Sequence, residues 1–174
     1  MALAVCLLFD TRSELLVREL WARLERLGVP TLASHTHRQH HPHLSYAVLR
    51  EWDLPGVEGA LGALPDHGPV TLGCHGTVLF PRGRVSLAVA VDADVAARQD
   101  AVVRALAATG ADLHRNYLPG RWVPHVSVAT RAKGPVLRAA VRAVTDSLPL
   151  PLVADRAALV DTATGWTRRL PTIP

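Results

Sequence analysis

Seven apolar residues in a row, Leu3 to Phe9, open the chain and stop at Asp10. An unbroken apolar run of that length predicts a strand buried on both faces. Polar Thr11, with Glu14 three residues on, predicts a capping box, and Leu16, Leu20, Leu24 and Leu27 then recur at helical spacing as far as Gly28. Residues 44–49 (LSYAVL) read as a strand, 54–64 (LPGVEGALGAL) as a short helix weakened by glycine, and 70–80 (VTLGCHGTVLF) as another strand. The order is strand, helix, strand, helix, strand. It then comes round again: a strand at 84–91, a helix capped by Asp92 or Asp94 whose stripe of Val95, Val102 and Leu106 ends near Gly110, and a strand at 125–129. A proline-led helix at 135–148 and a last main strand at 150–162 complete the second round.

The two rounds keep step. Asp10 and Asp92, Gly28 and Gly110, and the tetrapeptides PHLS (42–45) and PHVS (124–127) all stand 82 residues apart. Such self-similarity is the mark of one supersecondary unit used twice. Units of about 80 residues bury too little surface to be robust alone and should pack together. The expectation is an α+β fold, one compact domain over 1–174 built from two pseudo-symmetric lobes: a first repeat at about 1–81, a second at about 83–162, and a C-terminal tail at 163–174. PRG at 81–83 is the hinge between copies.

Composition then narrows the class. Of 174 residues 49% are hydrophobic, enough for a real core, yet no apolar run reaches the length of about 18 that spans a bilayer. The apolar amino end lacks a basic leader and a small-residue cleavage site, so a soluble cytoplasmic protein with no membrane partner is expected. Cys6 and Cys74 lie far apart, which suggests neither a disulfide framework nor a thiolate metal site. The formal charge is +4, and Lys133 is the only lysine. Arginine's planar fork suits phosphate, although so modest a charge does not imply tight nonspecific duplex binding.

The repeated tetrapeptides carry the candidate chemistry. On a strand, residues two apart share a face, so His43 and Ser45 point one way while Leu44 and Tyr46 point the other, and His125 and Ser127 form a second pair. Lobes related by a pseudo-twofold would set the pairs facing each other across a groove. Two imidazoles titrating near neutrality suit a reaction that needs a general base and a general acid together, and the hydroxyls can steady phosphoryl oxygens.

Two His-x-Ser motifs, one per half, with RWVPHVSVA following LFPRGRVSLAV, resemble the 2H phosphoesterase superfamily, in particular its bacterial 2′-5′ RNA ligase or RNA 2′,3′-cyclic phosphodiesterase branch. The resemblance spans nearly the whole chain. It implies a bilobal LigT-like fold with two antiparallel-containing sheets flanking a central groove. It also implies metal- and cofactor-independent opening of a cyclic phosphate at an RNA end to a 2′-phosphate, with possible 2′-5′ ligation. His43 and His125 become the acid–base pair, their individual roles unassigned, and Ser45 and Ser127 the phosphate donors. Serine stands where relatives commonly have threonine. Relatives often carry arginine five positions after the second histidine; here Thr130 holds that place and Arg131 follows it, so Arg131 is a candidate substrate contact. Tyr46 and Trp122 are candidate contacts too. Trp122, like Tyr117, stands in a glycine- and proline-bearing loop and could stack on a base.

Five of nine histidines crowd into 35–45, where a flexible loop could hold a transition metal, but no Cys, Asp or Glu completes a donor set and no functional metal is expected. Cys74 and His75 are adjacent on a strand and face opposite ways, which argues against a nucleophile–base pair. Arg82, Arg84 and Arg121 either line the groove or are solvated surface charges. The expected partner is RNA with a 2′,3′-cyclic phosphate end or a cyclic nucleotide, met by a monomer without an obligate protein partner. The alternatives are a phosphodiesterase for a small metabolite such as ADP-ribose cyclic phosphate, and a noncatalytic RNA-end binding protein.

Overall fold

The computed structural model describes residues 2–174. Its chain runs β1 (Leu3–Phe9), α1 (Thr11–Arg26), β2 (His43–Glu51), α2 (Leu54–Gly62), β3 (Val70–Phe80), β4 (Arg84–Ala90), α3 (Ala93–Ala108), β5 (Asp112–Leu113), a single 3-10 turn (Arg115–Tyr117), β6 (His125–Ala129), α4 (Gly134–Thr145), β7 (Leu150–Asp161) and β8 (Thr167–Arg169). The fold is α+β. No helix among the described residues is long and apolar enough to cross a membrane.

Both long helices start where an aspartate can bond a free backbone N–H. Asp10 Oδ1 accepts from Ser13 N at 2.7 Å, and Asp92 Oδ1 accepts from Val95 N at 2.8 Å. The cap of α1 is therefore Asp10, one residue before the Thr11 of the expected capping box, because only Asp10 keeps an extended backbone there (ψ 166°).

Every strand pairing is antiparallel, and the strands follow the order β5-β2-β1-β7-β3-β4-β6, with β8 added to β7. Strand partners are exchanged between the halves: β7, late in the chain, pairs with β1, while β3 pairs with β4. The strands that cross over, β3 and β7, meet each other, and Thr71 lies opposite Val153. Those two residues are themselves 82 apart, so the axis relating matching positions passes through their pair. β2 and β6 lie near opposite ends of the strand order yet approach each other. The ladder must therefore curl until its two motif strands face across a groove.

The core explains the apolar runs. On β1, Leu3, Val5, Leu7 and Phe9 are buried in the main cluster, while small Ala4 and Cys6 line the groove. Trp21, Leu24 and Val17 of α1, and Val102 and Leu106 of α3, pack into the same cluster. Pro81–Gly83 forms the tight turn between paired β3 and β4, where Gly83 has φ 69° and a Cβ would stand 2.1 Å from the Ala132 carbonyl oxygen. The segment after 162 is packed: β8 pairs with β7, and Leu170 and Ile173 are buried. Both cysteines are free and buried.

Candidate active site

β2 and β6 each begin with histidine immediately after a proline, which has no N–H to leave unpaired at a strand's entry. Leu44 and Val126, one residue on, are fully buried and anchor the opposite face. The histidines are then fixed in the same way. The Nδ1–H of His43 donates to the His41 carbonyl at 2.7 Å, and the Nδ1–H of His125 donates to the Val123 carbonyl at 2.7 Å. A carbonyl can only accept, so each neutral ring keeps its lone pair on Nε2. Burial lowers the pKa of both imidazoles. The carbonyl bonds oppose that shift, and the charge of His125 on His43, and of Arg84 on His125, adds to it.

Both histidines line one groove of about 840 Å³. Ser127 and Trp122 line it as well. Ser45 is not one of the groove-lining residues; its Oγ stands 3.6 Å from the Sγ of groove-lining Cys6. Two indoles steady the motif strands through the serine carbonyls: Trp122 Nε1–H donates to Ser45 O at 3.0 Å, and Trp21 Nε1–H donates to Ser127 O at 3.2 Å.

Each motif strand also carries a bulge. Val5 pairs with Ala47 and Cys6 with Ser45, leaving Tyr46 extra; Val85 pairs with Ala129 and Ser86 with Ser127, leaving Val128 extra. A bulge inverts the alternation beyond it. Val48 and Thr130, five residues after each histidine, consequently line the groove beside the histidines.

Two expectations need correction on this account. Tyr46 is not a groove residue: it is fully buried with the core, its ring edge-on to Trp122 at 5.9 Å, because it faces away from His43 and Ser45. Arg131 does not line the groove either. The strand ends at Ala129, Thr130 takes the inward place, and Arg131 is exposed at φ 55°. Its charge reaches only as far as the rim, at His35.

Arg82, Arg84 and Arg121 do line the groove, with His35, His40 and His114, and among the described residues no Asp or Glu joins them. Phe80, unremarked in the sequence reading, packs its ring 4.6 Å from that of His125. Its signal was its position, last in a strand and just ahead of the turn that delivers Arg84. In the histidine tract, His35 and His40 border the groove, whereas His37 packs its ring against that of His40, tilted by 37° at 4.1 Å. Among the described residues no three His, Cys, Asp or Glu side chains converge to hold a metal ion. Cys74 is buried and His75 exposed, on opposite faces of β3.

Residues 16–166 match the 2′-5′ RNA ligase superfamily. The chain belongs to that family. Family membership supports a phosphodiesterase or RNA ligase-type activity. Solved structures show the same fold. The crystal structure of E. coli LigT complexed with 3′-AMP is similar at TM-score 0.64 and 14% identity, covering 98% of this chain and 94% of that one. The E. coli LigT complex with NADP+ is similar at TM-score 0.61 and 12% identity, with the same coverage. Usb1 of Kluyveromyces marxianus is similar at TM-score 0.53 and 14% identity, covering 98% and 97%. No curated protein sequence matches the chain.

Proposed function

We propose that this protein is a metal-independent RNA 2′,3′-cyclic phosphodiesterase, with His43 and His125 as its acid–base pair. The observation that carries the reading is the matched fixing of two imidazoles by 2.7 Å bonds at Nδ1, which leaves both Nε2 atoms for one groove free of acidic side chains among the described residues. One imidazole removes a proton from water as its oxygen attacks phosphorus; the other protonates the departing 3′-oxygen as the P–O3′ bond breaks. The product is a 2′-phosphate. A motif serine hydroxyl donates to the nonbridging oxygens, and the groove arginines offset the charge that accumulates there. With a 5′-hydroxyl attacking phosphorus in place of water and the same P–O3′ bond breaking, the same proton transfers make a 2′-5′ linkage.

A similar fold holds 3′-AMP or NADP+ in E. coli LigT, which favours nucleotides as the ligand class and keeps small cyclic nucleotide metabolites as a second reading. The test is incubation with an oligonucleotide ending in a 2′,3′-cyclic phosphate, in chelator, with the phosphate position read by mass spectrometry and enzymatic digestion. Turnover to the 2′-phosphate is expected, and His43→Ala or His125→Ala should each lower kcat by at least about 10²-fold, the usual contribution of one proton transfer. Retained activity in both variants would sink the assignment. A protein that binds RNA ends unchanged in the double variant and turns nothing over would be a binding module instead.

A further inference from the structure

The two sides of the groove match in their histidines and in little else. Subtracting 82 from each groove-side position of the second half gives its counterpart in the first. Arg84 then corresponds to Ala2, Ser86 to Ala4, and Thr130 to Val48. In these three pairs the second half is polar and the first apolar, whereas at the histidine tract the order turns round and His40 is the counterpart of Trp122.

The serines differ as well. Ser45 Oγ is engaged by Cys6 Sγ at 3.6 Å and does not line the groove, whereas Ser127 lines it and its Oγ makes no hydrogen bond among the described residues. Behind Ser127, Ser86 and Thr130 are 1% and 8% exposed, and neither hydroxyl has a partner. Buried hydroxyls without partners are costly and call for explanation. Ser86 is paired with Ser127 in the ladder, and Thr130 lines the same groove as Ser127. Arg84 lines the groove with no carboxylate partner among the described residues, and its charge is felt at His125.

We propose that the second half alone forms the anion cradle, with Arg84 and Ser127 holding the nonbridging oxygens of the substrate phosphate and Thr130 and Ser86 backing them. The first half, with Ala4, Cys6 and Val48 at the groove, takes the less polar sugar and base side. The phosphate therefore enters in one orientation, and the two serines are not equivalent. This rests on the phosphodiesterase reading for its substrate, but its test does not require turnover.

The experiment is calorimetric titration of the full-length protein with adenosine 2′-monophosphate in chelator, with circular dichroism and melting curves as the check on folding. Arg84→Ala should weaken binding about tenfold or more, as loss of a charge-assisted bond would. Ser127→Ala should weaken it by a similar factor and Ser45→Ala by less than threefold. Arg84→Lys should recover part of the loss, a response that a merely structural arginine would not give, and exposed Arg142→Ala on α4 should bind like wild type. Folded Arg84→Ala that binds within threefold of wild type, equal losses in the two serine variants, or wild type that binds neither this nucleotide nor inorganic phosphate would each overturn the proposal. Turnover of the cyclic substrate with an indifferent Arg84 removes the cradle and leaves the phosphodiesterase. Arg84-dependent binding without turnover does the reverse.

Discussion

At the scale of single residues, the distinction that matters is which face of a strand a side chain takes. His43, Ser45, His125 and Ser127 were legible because a period of two needs only neighbouring residues to read. Tyr46 shows where that stops. Alternation places it on the core side, and the bulge makes it the unpaired residue of β2, with its hydroxyl buried and lacking a partner. Burial pushes its pKa up, so the hydroxyl stays neutral, and it carries an unmet hydrogen-bonding need. Tyr46→Phe removes that need without changing the ring, so we expect a melting temperature equal to or above wild type and unchanged kcat/KM on a cyclic-phosphate substrate. A marked loss of kcat/KM with intact folding would return Tyr46 to the groove.

At the scale of elements, strands and helices were readable from periodicity, but the partners they choose were not. Nothing local in α1 says that Trp21 will bond the carbonyl of Ser127, more than a hundred residues later, or that Trp122 will do the same for Ser45. These contacts follow from the exchange of strand partners between halves, which is set by distant pairing. The bulges were hidden for the same reason. They decide that position 130, not 131, faces inward, yet they exist only in the register of β6 against β4. Helix α1 of one half thus clamps the motif strand of the other. Trp21→Phe deletes the donor and leaves the Ser127 carbonyl unpaired in the interior, which should cost about 1–3 kcal/mol in denaturant unfolding. Because the same carbonyl belongs to the motif serine, kcat/KM should fall by about tenfold, a loss expected of a small displacement at a reacting centre. Unfolding that is unchanged would mean that the indole bond contributes nothing to holding β6.

At the scale of the whole molecule, the groove gathers titratable rings into a partly buried, cation-lined space that disfavours their charged form. Burial lowers the pKa of His35, His43 and His125, and it takes His40 down to about 4, with the nearby charges of His37, His43 and His35 adding to the last shift. The sign follows from linkage: between the ordinary imidazole value near 6.5 and the lowered folded values, the unfolded chain binds protons that the folded one refuses. Stability should therefore be level above about pH 7 and fall as the pH drops from about 6.5 toward 4. Backbone N–H bonds lower the pKa of Asp10 and Asp66, so their stabilisation is lost only further down, below the ordinary carboxylate range. Urea unfolding at pH 7.5 and pH 5, in wild type and in His40→Gln, separates these contributions. The wild type should weaken at pH 5, and the variant, which has no ring to protonate at that position, should weaken less. Catalysis meets the same constraint, since kcat/KM reports the free enzyme's acid and base. With both imidazoles lowered, the limbs of its bell-shaped profile should lie below 6.5 rather than around it. An optimum at clearly alkaline pH would show that the groove does not lower its two histidines, one of which must be protonated and the other neutral for this chemistry.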